Sequence, residues 1–357
     1  MMKSRSTRTR LLAAIAATGL VLGLAGCGAD GATGDSGAAS EADVTTVRIG
    51  FFPNITHAPA LVGLQEGLFK DALREAAVTV TPTAFNAGPD AVTALLSDSL
   101  DISYIGPNPT INAYVQSQGD AIRVISGAAS GGAALVVRPD ITTAKDLVGR
   151  TFATPQLGNT QDVAFRYWLQ EQGLSSTAEG GGEVSIKPQA NGEGLAAYSA
   201  GEIDGAWVPE PWVSEYIKKG AKVLVDEGSL WPDGQFVTTN IVVRTEFLQQ
   251  HAEIVSAFLR GHAAALQRIE SDPAAAKEAV SGALKSLTGS APAADVLDSA
   301  WQKVQFTADP LPATLKESAQ HAIDVGLLDA AGVQQAGNFD QLYDLDIISQ
   351  LGAAVQP

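Results

Sequence analysis

Four short segments of uncharged, hydrogen-bonding residues are the first candidates for chemistry in this sequence. Each follows an apolar run typical of a β-strand and stands where a helix is expected to begin; they are residues 54–57 (NITH), 86–89 (NAGP), 106–109 (GPNP) and 158–161 (GNTQ). The first turn of a helix leaves backbone N–H groups without partners and carries the positive end of the helix dipole. Such ends bind sulfonate, carboxylate, nitrate or phosphate groups without a full positive charge.

A simpler interpretation of these segments is that Asn and Thr in front of a helix act only as caps. For any one segment this interpretation stays open. Four such segments in one chain favour the convergence of some of them on a ligand.

A second unusual segment, residues 204–212 (DGAWVPEPW), carries two tryptophans around a double-proline turn. Trp207 could wall a ligand cleft, or it could be ordinary core packing. Glu210 could bind an amino or hydroxyl group of a ligand, or it could cap the helix that follows.

Residue types on which common enzymes depend are scarce. The four histidines are His57, His251, His262 and His321, and their spacing forms no metal-binding cluster. The sequence has no Gly-x-Ser-x-Gly elbow, no phosphate-binding Gly-Lys-Ser/Thr loop and no Gly-x-Gly-x-x-Gly after the first strand. We therefore expect no catalytic residues, no metal and no cofactor.

The elements that must position these residues alternate between short apolar strands and helices. Strands are predicted at residues 47–52, 78–85, 102–105, 122–126, 134–137, 151–154, 184–187, 206–208, 222–225 and 239–244. Helices are predicted at 58–69, 89–100, 110–116 and 162–172, and everything beyond residue 245 is expected to be helical. This alternation predicts two α/β lobes, each with a parallel sheet covered on both faces, and a helical tail. Ligands of such sheets bind at the carboxyl ends of the strands.

The N-terminus has the features of an export signal. Four basic residues precede an uncharged apolar stretch, residues 11–24, which is too short to span a bilayer comfortably. Leu24, the last residue of this stretch, begins the sequence Leu-Ala-Gly-Cys, which resembles a bacterial lipobox and contains Cys27, the only cysteine of the chain. We expect residues 1–26 to be a lipoprotein signal peptide and Cys27 to carry the lipid; an ordinary secretory signal or a short anchor is the alternative.

Composition agrees with an exported protein on a tether. Residues 28–43 are almost entirely Gly, Ala, Ser, Thr and Asp, so we expect 27–46 to be a flexible linker. Four of the 23 basic residues and none of the 39 acidic ones precede Cys27, which leaves the mature chain a formal net charge of −20. A chain this acidic has no excess of basic residues with which to bind nucleic acid.

The order of several motifs resembles a known family. These are VRIGFFPNITHAPALVGLQEGLF, FNAGPDAVTALLSDSLDISYIGPNPTINAY, GAASGGAALVVRP, DLVGRTFATPQLGNTQDVAFRYWLQEQGL and AAYSAGEIDGAWVPEPW, between residues 47 and about 260. Together with the lipobox they resemble the substrate-binding lipoproteins of the nitrate/taurine/aliphatic-sulfonate ABC importers.

The resemblance implies a two-lobed periplasmic-binding-protein (type II) fold with a helical C-terminal extension. Lobe I would comprise residues 47–136 plus 240–357 and lobe II residues 137–239, with crossings near 134–140 and 236–243. It implies capture of a small anionic or zwitterionic solute between the lobes and delivery to a permease and its ATPase, at the outer face of the cell membrane. An exported enzyme related to pyrimidine-synthesis proteins, or a sensor, is the alternative.

Carried over position by position, the resemblance and the helix-start pattern nominate one set of ligand-binding residues. They are Asn54, Thr56, His57, Asn86, Gly106, Asn108, Ser130, Gly131, Gly158, Asn159, Thr160, Gln161, Trp207 and Glu210. The chain departs from the family where many relatives have Lys-Gly-Ser/Thr, because it has Leu157 before Gly158. Neutral donors at this position fit a singly charged or zwitterionic ligand better than a doubly charged one.

Overall fold

The computed structural model describes residues 44–352 and contains two β-sheets joined by two crossings of the chain. The expected signal peptide, Cys27 as the expected lipid attachment site, and most of the expected linker lie outside the described residues. No helix within 44–352 is long and apolar enough to cross a membrane.

The first sheet has the strand order β11-β4-β10-β3-β1-β2. Its strands are β1 (Thr46–Phe51), β2 (Thr79–Ala84), β3 (Ile102–Ile105), β4 (Ile122–Gly131), β10 (Val237–Arg244) and β11 (Val304–Phe306). The second sheet has the order β7-β6-β8-β5-β9. Its strands are β5 (Ala133–Val137), β6 (Thr151–Thr154), β7 (Ser185–Pro188), β8 (Gly205–Pro209) and β9 (Lys222–Asp226).

Helices cover both faces of each sheet. Those that follow strands of the first sheet before the crossing are α1 (Ala58–Gln65), α2 (Leu68–Leu73), α3 (Gly88–Leu96) and α4 (Pro107–Gln116). Those of the second sheet are α5 (Thr160–Glu171), α6 (Asn191–Ala200) and α7 (Trp212–Lys218). The C-terminal helices are α8 (Thr245–Gln250), α9 (Ala252–Ser271), α10 (Pro273–Thr288), α11 (Ala294–Trp301), α12 (Pro312–Asp324), α13 (Ala330–Gln335) and α14 (Asp346–Gln350).

Each sheet separates two hydrophobic clusters. In the first sheet, Ile49 and Ile241 belong to the cluster beneath α1, α9 and α10, and Ile105 and Val242 to the cluster beneath α3, α4 and α12. Two smaller clusters cover the faces of the second sheet. Burial on both faces explains why inner strands such as β3 and β5 are almost continuously apolar, whereas the edge strands β2 and β9 are half-buried or exposed. We call the first sheet with its helices lobe 1, and the second sheet with α5–α7 lobe 2.

The chain changes lobes at Gly132 and again between Asp226 and Val237. The predicted boundary after residue 136 falls inside β5, all of which pairs with β8 or β9 in the second sheet. The predicted boundary at 239/240 falls inside β10, which pairs with β3 and β4 in the first. Both changes of lobe therefore come earlier in the chain than expected.

The sheets are mixed, which corrects the expectation of fully parallel ones. Strands β2, β1 and β3 are parallel, and so are β7, β6 and β8. Strands β4 and β10 are antiparallel because one leaves lobe 1 and the other returns to it. Strand β5 enters lobe 2 and also pairs antiparallel with its neighbours.

Several predicted helices and strands end at other residues in the structure, and some observed elements were not predicted. The helix predicted at 58–69 is broken at Gly67, which has a φ of 76°. Strand β4 continues through the small residues to Gly131, because Ser130 pairs with β10 and Gly131 with β11. Gly127 has no room for a side chain, since the carbonyl oxygen of Asp309 lies 2.2 Å from where its Cβ would stand. Helix α6 lies outside every helix predicted from the sequence, whereas α7 is the helix expected after Glu210. The tail, expected to be all helical, contains a strand, β11, that pairs with β4.

Candidate functional site

A small cavity lies between the lobes, at the carboxyl ends of strands from both sheets. It encloses about 20 Å³ of free space, room for about one or two water molecules. Its lining comes from both lobes and consists of Phe52, Asn54, Thr56, His57, Asn86, Ala87, Gly106, Pro155, Asn159, Gln161, Asn191, Pro209 and Thr238. The two lobes are therefore closed around this space.

Helices begin on all sides of the cavity. Asn54 precedes a short 3₁₀ turn that leads into α1, Ala87 and Gly106 precede α3 and α4, Asn159 precedes α5, and Asn191 is the first residue of α6. The positive ends of these helix dipoles point toward one small space, which favours an anion there.

The side chains of Asn54 and Asn159 do not cap their helices. Neither makes a hydrogen bond to the backbone of the turn it precedes. Both are buried and line the cavity instead. The interpretation of Asn54 and Asn159 as helix caps is therefore wrong.

Neighbouring hydrogen bonds orient two of the lining side chains, Asn54 and Gln161, as donors. The Oδ1 of Asn54 accepts from Trp212 Nε1 at 2.9 Å, which leaves the amide nitrogen of Asn54 free. The Nδ2 of Asn159 donates to Gln161 Oε1 at 3.2 Å, which leaves the amide nitrogen of Gln161 free. Each bond occupies the acceptor oxygen of one of these two amides, so the N–H groups of Asn54 and Gln161 remain for a ligand.

His57 is a neutral donor. Its Nδ1 accepts from the backbone N–H of Phe52 at 3.3 Å, so its proton resides on Nε2. Burial lowers the pKa of His57 to about 3. The ring contacts Phe52, with centroids 4.5 Å apart.

Every residue that lines the cavity is uncharged at neutral pH. Within residues 44–352, no group of three or more His, Cys, Asp or Glu is arranged to hold a metal ion. The site offers amide and imidazole N–H groups, hydroxyls and helix N-termini, a combination suited to an anion of low charge.

Other predicted site residues lie near the cavity without lining it. Asn108 donates from Nδ2 to the carbonyl of Ser318 in α12 at 3.1 Å. Gly158, at a φ of 72°, donates its N–H to Asp162 Oδ2 at 2.9 Å. Thr160 Oγ1 is buried without a hydrogen-bond partner and faces Gly106 across the lobes.

Ser130 and Gly131 lie at the end of β4, where the chain leaves lobe 1. Ser130 Oγ accepts from the N–H of Phe236 at 3.2 Å. The carbonyl of Gly131 accepts from Thr238 Oγ1 at 2.6 Å. These two residues connect the crossing segments and are not part of the cavity lining.

Trp207 and Glu210 also have roles other than those predicted for a cleft. Trp207 is fully buried in the lobe 2 core, and its Nε1 donates to Glu227 Oε2 at 2.7 Å. Glu210 accepts from the backbone N–H of Ser214 at 3.1 Å and from its hydroxyl at 3.0 Å, so it binds the first turn of α7. Burial raises the pKa of Glu210 to about 7, and the bonds from Ser214 oppose this shift.

The amino-acid sequence is similar to those of known proteins. Residues 40–283, more than half of the chain, match the NMT1-like family. The chain belongs to this family. The taurine-binding periplasmic protein of Escherichia coli (strain K12) is 29% identical over 218 residues, which are 60% of this chain and 64% of that protein. The match thus spans less than two thirds of that relative's length.

Solved structures share the fold of this NMT1-like protein. The periplasmic nitrate-binding protein NrtA from Synechocystis PCC 6803 superposes with a TM-score of 0.71 at 16% identity, over 86% of this chain and 88% of that one. The alkanesulfonate-binding protein SsuA from Xanthomonas axonopodis pv. citri gives 0.65 at 20% identity, over 81% and 96%. The predicted nitrate/taurine/sulfonate-binding family and two-lobed fold with C-terminal helices are confirmed.

Sequence reasoning missed several lining residues of this NMT1-like protein. Asn191 follows strand β7 and begins a helix, the same signal that identified the other loops. Its Oδ1 is buried without a partner. Thr238 lies inside β10 and Phe52, Pro155 and Pro209 are apolar, so no pattern marks them.

Proposed function

We propose that this chain is the extracytoplasmic solute-binding component of an ABC importer and captures a small anionic or zwitterionic ligand of the sulfonate, taurine or nitrate type. The observation that carries the proposal is the uncharged cavity between the lobes, with donors from both lobes turned toward it. The names of the related taurine-, sulfonate- and nitrate-binding proteins support the same ligand class.

Closure of the lobes explains how neutral groups hold an anion. Exclusion of water strengthens each hydrogen bond to the ligand, because the local dielectric falls. Micromolar affinity corresponds to about −8 kcal/mol, within reach of several donors and five helix ends. The closed form also presents a surface that a permease distinguishes from the open form.

We propose binding without a reaction at this site. His57 is the only lining residue with acid–base chemistry, and its pKa of about 3 makes it a weak base and no acid at neutral pH.

The location we propose is the outer face of the cell membrane, with a lipid on Cys27 and the permease and its ATPase as partners. The lipobox-like residues up to Cys27 and the Gly/Ala/Ser-rich segment after it support this location. Changing Cys27 to Ser should move the protein from the membrane fraction to the soluble fraction of the cell. Continued retention in the membrane fraction would contradict the lipid anchor.

The test of ligand capture is calorimetric titration of the protein with taurine, methanesulfonate and nitrate. We expect one of them to bind, and Gln161→Ala to weaken that binding at least about fivefold, the cost of roughly one hydrogen bond. Gln170→Ala is the matched control, because Gln170 lies on the same helix with its side chain exposed. Absence of binding by all three ligands, or equal effects of both substitutions, would contradict the proposal.

A further inference from the structure

Trp212 belongs to lobe 2 but makes its hydrogen bond in lobe 1. Its ring packs against the lobe 2 core and lies 3.5 Å from the position a Cβ would take at Gly192 in α6. Its Nε1 reaches across and donates to Asn54 Oδ1 at 2.9 Å. The bond therefore depends on how the two lobes lie against each other.

A second bond across the lobes joins the same segments. The N–H of Ile55 donates to the carbonyl of Glu210 at 3.0 Å. The segment that carries Asn54 is thus docked at two adjacent points on the segment that leads into α7. Opening of the lobes would break both bonds together.

The orientation of the Asn54 amide decides whether this residue attracts or repels an anion. A carboxamide has an acceptor at one end and two donors at the other. With Oδ1 bonded to Trp212, Asn54 presents its Nδ2 to the cavity; a rotated amide would present the oxygen instead. No other side-chain hydrogen bond to Asn54 is formed within residues 44–352.

We infer that Trp212 is a positioning residue that fixes Asn54 as a donor to the anion only when the lobes are closed. The inference rests on the proposed function, since it assigns a role within the same site. It links recognition to closure: in the open form the amide of Asn54 rotates freely, and closure turns its N–H groups toward the ligand.

The indole N–H resonances report on this bond directly. The chain has five tryptophans and hence five indole signals, and Trp212→Phe identifies the signal of Trp212 by its loss. Methanesulfonate, taurine and nitrate are the probes. On binding, we expect the Trp212 signal to shift, while the signal of Trp207 stays in place because its acceptor Glu227 directly follows β9 of lobe 2 and the bond does not cross between the lobes.

Affinity measurements separate positioning from packing. Trp212→Phe keeps an aromatic ring but removes the N–H together with the pyrrole half of the indole, and we expect it to weaken binding about fivefold. In an Asn54→Ala background the same substitution should weaken binding much less, because the amide it positions is gone and only the loss of packing remains. Equal weakening in both backgrounds would show that the ring acts only by packing and would overturn the inference.

A second variant keeps the inference testable if Trp212→Phe folds poorly. Asn54→Asp retains the acceptor for Trp212 but turns a carboxylate toward the cavity, so it should abolish anion binding while the melting temperature of the empty protein is retained. Undiminished binding by Asn54→Asp would overturn the inference. If the unaltered protein binds none of the three probes, the proposed function fails; if it binds and the Trp212 signal does not move, only the positioning role fails.

Discussion

At the scale of single residues, the site works with neutral donors whose direction is set by the bonds behind them. Burial keeps His57 uncharged, and the N–H of Phe52 fixes its tautomer. A buried cation would cost several kcal/mol of desolvation without a partner. Neutral donors avoid this cost and still match an anion, because each presents a fixed N–H.

His57 should make no contribution to the pH dependence of anion affinity. With a pKa of about 3, its ring stays neutral from pH 5.5 to 8. We expect the ratio of the Kd of His57→Gln to that of the unaltered protein to be the same at both pH values, measured by calorimetry with methanesulfonate, which remains an anion throughout. A histidine that titrated near its ordinary value of about 6.5 would change this ratio more than about tenfold.

At the scale of elements, the approach of α4 to α5 limits how far the lobes close. Gly106 precedes α4 in lobe 1, and a Cβ at this position would lie 2.5 Å from Thr160 Oγ1 in lobe 2. The φ of Gly106 is −74°, which any residue adopts. The glycine is thus required by the contact between lobes and not by its backbone conformation.

Gly106→Ala should weaken ligand binding at least about tenfold and leave the melting temperature of the ligand-free protein nearly unchanged, since an open form relieves the clash. Thr160→Ala removes the clashing hydroxyl, so the double variant should recover most of the affinity. Gly282→Ala, in helix α10, is the control, because the nearest atom to its added Cβ, Gln65 Nε2, is 3.9 Å away. Titration and thermal melting of the four variants test this, and a loss of affinity that the double variant does not reverse would contradict it.

Part of the fold and of the cavity lining could be predicted from the sequence. Alternating apolar strands and polar helix starts correctly predicted most elements, and the same polar helix starts nominated Asn54, Asn86, Asn159 and Gln161, which line the cavity. Helix α6 escaped prediction because its residues, NGEGLAAYSA, give no apolar face. The prediction that Trp207 contacts a ligand was wrong, because a tryptophan in a chain with few aromatic residues indicates core packing as readily as ligand binding. The structure places Trp207 in the core.

At the scale of the whole molecule, two buried carboxylates tie stability to pH. Glu227 follows β9 on the return to lobe 1 and is 1% exposed. Burial raises the pKa of Glu227 to about 7, although hydrogen bonds from Trp207 and Trp231 act in the opposite direction. Burial also raises the pKa of Glu210 to about 7. Both groups prefer to be protonated in the folded state, so their stabilising contribution is complete below about pH 4.5 and is lost as the pH rises to about 7.

Glu227→Gln should remove part of this pH dependence. The amide oxygen still accepts from Trp207, but no charge is buried at high pH. We expect the variant to match the unaltered protein near pH 4.5 and to exceed it at pH 8 by up to roughly 3 kcal/mol, the free energy equivalent of the raised pKa. Urea unfolding at pH 4.5, 6 and 8 measures the difference, and Glu253→Gln, an exposed carboxylate in α9, is the control. A constant difference across the three pH values would mean that Glu227 stays ionised in the folded protein, so that hydrogen bonds from the two tryptophans outweigh its burial.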